Sequence, residues 1–230
     1  IVPVGGGGLI SGVAFAIKSL KPSVKVYGVQ ASGAPSMAES VAHQRIRRLS
    51  AVSTIADGIA VGRPGQLPFS IIKELVDDVV TVSEDSLARA LIFLLERAKM
   101  VVEPAGAVGV AALMDGKIEN PGNTAVVLSG GNIDPMLMLK VIQRGLAAAG
   151  RYLVVRILLD DRPGSLATIS RIIAESDANV TGVDHTRVGG SISMGDVAIT
   201  INMETKGHEH CEQVLNNLRA SGFQPIVLHG

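Results

Sequence analysis

The 230-residue chain has no tryptophan, two tyrosines, four phenylalanines and one cysteine. Aromatics at 3% leave few rings for bases to stack on, which argues against a single-strand nucleic-acid platform. Lysines and arginines (21) match aspartates and glutamates (21), so no basic field invites a nucleic-acid partner. A lone Cys211 excludes an internal disulfide and fits a reducing, cytoplasmic compartment. No apolar run is long enough to span a bilayer, so no membrane partner is expected. An initiating methionine and a visible signal peptide are also missing, and the chain opens inside an apolar stretch of mid-sheet character. We therefore expect a C-terminal piece of a longer protein. Hydrophobic residues at 47% against 18% charged give a well-buried globular balance. The length suits one large or two small domains.

The richest stretch is Ile1-Val2-Pro3-Val4-Gly5-Gly6-Gly7-Gly8-Leu9. An apolar strand runs into four glycines, and Leu9–Ile17 then has the pattern of a buried helix. Glycine lets the backbone turn sharply and approach a ligand. The free amides at the positive end of the helix then converge on an anion, with phosphate the natural guest. One glycine would serve a simple tight turn; four in a row suit a cradle better. A dinucleotide fingerprint fails, because position 10 is Ile10 and the second strand ends in Gln30, not an acid. A Walker loop is absent, so a compact single phosphate fits best.

Residues 1–145 alternate short strands and helices, the α/β pattern. Strands are expected at 1–4, 25–30, 78–82 and 124–128, and helices at 9–17, 36–44, 69–76, from 84 onward, 105–113 and 135–145. Ser83 is the N-cap expected for the fourth of these helices. Ser129 sits at the carboxyl end of the expected strand 124–128, where open α/β sheets bind ligands.

Four motifs in this order resemble the threonine dehydratases (threonine ammonia-lyases). They are Gly5–Leu9, Thr54-Ile55-Ala56-Asp57-Gly58, Val101-Val102-Glu103-Pro104-Ala105-Gly106-Ala107 and Leu128-Ser129-Gly130-Gly131-Asn132. Serine racemases and serine dehydratases share much of the set. The resemblance implies a tryptophan-synthase-β-like fold, an open and mainly parallel sheet, over 1–146. It implies that Gly5, Gly6, Gly7, Gly8 and Leu9 hold the phosphate of pyridoxal 5'-phosphate, and that Ser129 bonds its pyridine nitrogen. Glu103 would lie near the ring, as a lower-ranked site residue. Read alone, Ser129 is a helix N-cap and Glu103 a first-turn acid. Asp57 and Asn132 read as structural.

Beyond Ala147-Ala148-Ala149-Gly150, an expected hinge, the pattern becomes βαββαβ, the ferredoxin-like order. Strands are expected at 152–158, 179–187, 196–203 and 225–228, with a turn at Gly189-Gly190. Arg162-Pro163-Gly164-Ser165-Leu166 at the first strand–helix turn, with Asn179-Val180 opening the next strand, resembles the ACT domain over 151–230. The implied effector is a branched-chain amino acid, isoleucine or valine, held by Asp161, Gly164, Ser165, Leu166 and Asn179. ACT domains usually pair, so a homo-oligomer is expected. A bland βα turn is the competing reading of Gly164.

The implied reaction is deamination of L-threonine to 2-oxobutanoate and ammonia, and of L-serine to pyruvate, in amino-acid metabolism such as isoleucine biosynthesis. The family's Schiff-base lysine lies upstream of the glycine loop in a Ser-x-Lys-x-Arg-Gly-like motif. Ser23-Val24-Lys25 is only a faint echo and does not match. No catalytic lysine is therefore assigned here, and the piece alone is expected to be inactive. No metal is expected. His208 and His210 are two apart and diverge on a helix. At the cation site of the serine racemases, the matching positions are neutral Gln30 and Ser36, with Ala34 between them. A non-catalytic amino-acid sensor and another enzyme of the same fold, such as a serine racemase or serine dehydratase, are the alternatives. The ACT pattern counts against the racemase.

Overall fold

The structure, a computed structural model, describes residues 1–186 and 196–228. It falls into two compact units, Ile1–Ile142 and Gln143–Gly230. The expected turn at Gly189-Gly190 lies outside the described residues.

The first unit is built on a parallel sheet of β1 (Val2–Pro3), β2 (Tyr27–Ala31) and β3 (Asp78–Val82), in the order β1-β2-β3. Parallel strands are buried on both faces, and their sequences run nearly continuously apolar. One face is covered by α1 (Gly8–Leu20), α2 (Ser36–Ala42) and α3 (Gln66–Leu75), around Val4, Ile10, Met37 and Ile72. The other is covered by α4 (Glu84–Phe93) and α5 (Pro104–Met114), around Val29, Leu87, Ala107 and Val108. Side chains alternate along β2, so Val29 and Ala31 join the second core. Gly28 and Gln30 then belong to the first, and a Cβ on Gly28 would lie 2.8 Å from Val4 Cγ2. Ser83 caps α4, its hydroxyl accepting from the Ser86 amide. A π-helical turn, Leu94–Ala98, continues from α4.

Two local expectations are corrected. Residues 124–128 form no strand. Their pairing is confined to Ile1, which accepts from the Val127 amide at 2.9 Å and donates to the Ala125 carbonyl at 2.8 Å. The neighbouring strand offers only Val2 and Pro3, and proline has no N–H to extend a ladder. The expected hinge at Ala147–Gly150 is half helical, because α6 spans Pro135–Ala148. Alanine is the best helix former, and the helix ends at Gly150, with φ 65°. The Gly150 and Arg151 amides return to the Ala147 and Leu146 carbonyls, a Schellman stop.

The second unit is β4 (Tyr152–Asp160), α7 (Ser165–Glu175), β5 (Asn179–Thr186), β6 (Asp196–Glu204), α8 (His208–Ala220) and β7 (Pro225–Val227). Its antiparallel sheet has the order β5-β6-β4-β7. Val197, Ile199, Ile201 and Met203 stand opposite Leu159, Ile157, Val155 and Leu153 on one face, where α7 and α8 supply Ile169, Ile173, Val214 and Leu218. This is the expected βαββαβ order.

Asp77 joins three pieces of the first unit. Its carboxylate accepts from Lys18 Nζ on α1 at 2.8 Å and from the Val26 amide at 2.7 Å. Desolvation pushes its pKa up, but the Lys18 and Val26 bonds and the nearby lysine charges outweigh that and hold it below the ordinary value. A depressed folded pKa gives stability that is present above the unfolded carboxylate range and lost as pH falls through the folded value. Asp77→Asn should therefore lower the thermal midpoint at neutral pH. The gap to wild type should close below about pH 4. Midpoints measured across pH check this; a gap independent of pH would refute the assignment.

Candidate functional site

The glycine loop joins β1 to α1. Gly7 adopts φ 97°, a left-handed conformation open to glycine, and a Cβ there would lie 2.7–2.9 Å from Met37, Pro68 and Ile72 side chains. The loop thus rests on packed side chains beneath it. Its carbonyls are engaged: Gly6 O accepts from the Gly65 amide, and Gly7 O from the Ser11 amide and hydroxyl. Among the described residues, no protein acceptor takes the amides of Gly5, Gly6, Gly7, Gly8, Leu9 or Ile10. A Cβ at Gly8 would meet nothing within 4 Å. A row of unclaimed donors at the N-terminus of a 13-residue helix fits an anionic phosphate.

The other three motifs meet around one carboxylate. Glu103 is the residue before α5, and its side chain makes no cap bond to that helix. It turns instead to two glycines. A Cβ at Gly130 would fall 2.3 Å from Glu103 Oε1, and one at Gly58 would fall 3.2 Å from the same oxygen. Gly130 has φ 87°, and its carbonyl accepts from the Glu103 amide at 3.3 Å. The glycine loop adjoins the same group, since a Cβ at Gly5 would lie 3.1 Å from Ile59 Cα and 3.5 Å from Gly58 O. The tertiary fold therefore brings Gly5, Gly58, Glu103 and Gly130 together from four separate segments. Ser129 is half-buried next to Gly130. Its backbone is closely approached by α5, because a Cβ at Gly106 would lie 2.4 Å from Ser129 O.

The Thr54–Gly58 segment is held from a distance. Glu84 Oε2 accepts the Ile55 amide at 2.9 Å, and Asp57 Oδ1 accepts the Gly58 amide at 2.8 Å. Glu84 carries no signal for this role in the sequence, because a side chain reaching back 29 residues leaves no local pattern. Gln30 and Ser36 are both wholly buried, and each donates to a carbonyl: Gln30 Nε2 to Val4 and Ser36 Oγ to Val61. None of the eight lysines is buried. Lys18 is engaged by Asp77, and Lys99 by the Glu96 carbonyl.

In the second unit a cleft of about 450 Å³ is lined by Asp161, Arg162, Gly164, Ser165, Leu166 and His185, with Leu159, Val197 and Ile199 as its apolar part. Gly164 has φ 94°, and α7 starts directly after it. The Ser165 amide has a long bond to Arg162 O, 3.4 Å. Asn179 is not in the cleft. It pairs with Glu204 at the start of β5, and its amide donates to Glu204 Oε2 at 3.1 Å. The reason is topological: α7 runs back along the sheet, so β5 begins at the end opposite the Gly164 turn. His185, isolated in the sequence, reaches the cleft by pairing with Ile199. His210 Nδ1 accepts from the Lys206 amide, and Nε2 lies 2.6 Å from Ser176 O, so both ring nitrogens have partners.

The close approach at Gly106 sets a measurable constraint. Gly106→Ala would force α5 away from the Ser129 carbonyl and from Val102. It should destabilise the chain by about 1–3 kcal/mol, the size of an overpacked core contact. Denaturant unfolding checks this, and an unchanged midpoint would show that the two backbones do not meet.

Comparison with known proteins agrees with this geometry. The family model described as "Pyridoxal-phosphate dependent enzyme" matches residues 1–130, and that of the ACT domain matches 153–222. L-threonine ammonia-lyases of Geobacter sulfurreducens and Thermotoga maritima are each 45% identical over 229 residues, 99% of this chain. The chain spans 57% of the length of either relative. The solved processed form of threonine deaminase isoform 2 from Solanum lycopersicum is 37% identical with TM-score 0.57, over 61% of this chain and 42% of that one. No helix among the described residues is long and apolar enough to cross a membrane. The chain belongs to the pyridoxal-phosphate dependent enzymes, and an ACT domain follows in its sequence.

Proposed function

We propose that the protein deaminates L-threonine to 2-oxobutanoate and ammonia, and L-serine to pyruvate, in the cytoplasm, under control of an amino-acid effector. In this reading residues 1–146 are part of the catalytic domain and 151–230 are the regulatory domain. The observation that carries it is the meeting of Gly5, Gly58, Glu103 and Gly130 beside a row of unclaimed loop amides. The names of the relatives supply the substrate.

The reaction removes the Cα proton and the β-hydroxyl of threonine, and the enamine left behind hydrolyses in water to the keto acid and ammonia. When bound, pyridoxal phosphate supplies a ring that draws off the electron pair left at Cα. The amides of Gly5–Leu9 hold the phosphate, and the dipole of α1 favours its charge. Ser129 offers the ring nitrogen a hydroxyl, not a carboxylate. A hydroxyl ionises far above neutral pH, so it leaves that nitrogen largely unprotonated. That weaker sink suits β-elimination, where the leaving group departs as the proton goes, better than transamination. Glu103 keeps a carboxylate beside the Ser129 segment. The lysine that takes the Cα proton is not assigned in this chain, consistent with eight lysines of which none is buried.

The test joins this chain to the part of the Geobacter sulfurreducens relative that it does not cover. The fusion should release 2-oxobutanoate from L-threonine, while the chain alone should not and should show no borohydride-trapped cofactor at a single lysine. Turnover by the chain alone, or a cofactor-loaded fusion inert toward both threonine and serine, would overturn the reading.

The cleft at Gly164 is the proposed effector site, with Asp161, Gly164, Ser165 and Leu166 around the amino-acid backbone and Leu159, Val197 and Ile199 around its side chain. The Leu166 amide has no protein acceptor among the described residues and opens α7, which suits a carboxylate. Branched apolar lining suits isoleucine or valine. Asn179 drops out of the site within one chain. The effector acts by favouring one homo-oligomeric assembly over another. Gly164→Leu should weaken isoleucine or valine binding at least about tenfold, because the αL turn penalises a side chain and the new bulk enters the cleft. Calorimetry and sedimentation of both forms check it; unchanged binding, or a wild type that is monomeric and binds neither amino acid, would sink the assignment.

A further inference from the structure

Gln30 is the one wholly buried side-chain amide among the described residues. It lies on β2, on the face that packs against α1 and α2. All its polar atoms are used. Oε1 accepts from the Met37 and Ala38 amides, each at 2.9 Å, and Nε2 donates to the Val4 carbonyl at 3.1 Å. The orientation is fixed by these partners: reversing the amide would set donor against donor and acceptor against acceptor.

The two ends of this side chain hold two different things. The Met37 and Ala38 amides belong to the first turn of α2, which has no side-chain cap from its own N-cap residue. Gln30 satisfies two of that helix's orphan donors from a neighbouring strand. The Val4 carbonyl immediately precedes Gly5, the first residue of the glycine loop. Met37 in turn packs under that loop, its Cε 2.7 Å from where a Gly7 Cβ would stand. Gln30 therefore fixes both the peptide from which the loop departs and the helix whose side chain supports it. A methionine or leucine would fill much the same volume without burying an amide. Only the amide supplies a donor to Val4 and an acceptor for α2.

We propose that Gln30 is a positioning residue of the anion-binding loop: by tethering the Val4 carbonyl and the first turn of α2, it sets the direction of the Gly5–Leu9 amides. This rests on reading that loop as a phosphate cradle. None of the three bonds of Gln30 is to a titratable group. Titratable side chains on its own strand and on the elements covering this face are Tyr27 on β2, Lys18 on α1, which is paired with Asp77, Glu39 on α2, Lys73 and Glu74 on α3, and Asp78 on β3.

Gln30→Glu gives a test that packing alone cannot pass. Ionised, the new carboxylate would face the Val4 carbonyl acceptor to acceptor. Protonated, it has the shape and the donor of the glutamine, its hydroxyl replacing Nε2. Burial and the Val4 carbonyl favour the protonated form and the Met37 and Ala38 amides favour the ionised one, so their balance sets the pH at which protonation restores the donor to Val4. The native arrangement is then present at low pH and lost as pH rises. The probe is sulfate, a dianion throughout this range, titrated against the full chain with the amide signals of Gly5–Leu9 as readout and circular dichroism to confirm folding. Wild type should bind with little pH dependence. Gln30→Glu should bind about tenfold more weakly at neutral pH, the size of one unmade buried hydrogen bond, and recover toward wild type near about pH 5. Gln30→Met, uncharged and close in volume, should be weak at every pH. Equal sulfate binding by folded Gln30→Met and wild type would overturn the inference, and so would a Gln30→Glu defect that no lowering of pH repairs. A wild type whose loop binds no sulfate would fail the cradle reading itself, and the inference with it.

Discussion

The candidate site depends on one carboxylate packed between two glycines. Glu103 presses its Oε1 against Gly58 on one side and Gly130 on the other, at distances that a Cβ on Gly130 would make impossible. The contact is steric before it is electrostatic. It requires that two loops without side chains at these points arrive at the same place. Once they do, Gly5 lies against Gly58, and Ser129 lies next to Gly130. The small residues of α5 extend the same constraint, because Gly106 lets the helix touch the Ser129 backbone and Gly109 admits Val126 and Ile1. Close-packed interiors leave no slack to absorb an added methyl group. The glycine and alanine content of this segment thus serves approach as much as turning.

Around that hub the polar groups are held by long-range tethers. Glu84 reaches 29 residues back to hold the Ile55 amide, and Gln30 reaches 26 residues back to the Val4 carbonyl. Each replaces a hydrogen bond that a loop cannot make with its own neighbours. The loops that carry the unclaimed amides are therefore ordered without spending those amides on structure. That division leaves the donors at the start of α1 available while the carbonyls of Gly6 and Gly7 are occupied.

The second unit solves a different problem with the same device. Its βα turn at Gly164 also ends in a left-handed residue that starts a helix, here over an apolar sheet face of Leu159, Val197 and Ile199. The cleft there combines charged groups, Asp161 and Arg162, with branched apolar side chains. The topology decides which strand ends share it. β5 delivers His185 to the cleft and carries Asn179 away from it, because a crossover helix returns the chain to the other end of the sheet.

The order of α/β elements, the βαββαβ tail and the glycine loop between β1 and α1 were all legible in the sequence, because each is written in local periodicity and turn chemistry. So were Ser83 as a cap and the four motif segments. Residues 124–128 misled, since an apolar run becomes a strand only if a neighbour offers a ladder, and here only Ile1, just before β1, pairs with it. The helical stretch through Ala147 and Ala148 was read as a hinge because a run of small residues looks like a break until the following glycine is seen to cap it. The surroundings of Asn179, His185, Glu84 and Gln30 were not legible for one reason. Glu204, Ile199, Ile55 and the Val4 carbonyl, which they respectively meet, lie far enough along the chain that the contact leaves no trace in spacing. The sequence by itself determined which stretches could turn, coil and bury; the tertiary structure decided which of them meet, because close packing and hydrogen-bond geometry act between residues that the chain order keeps apart.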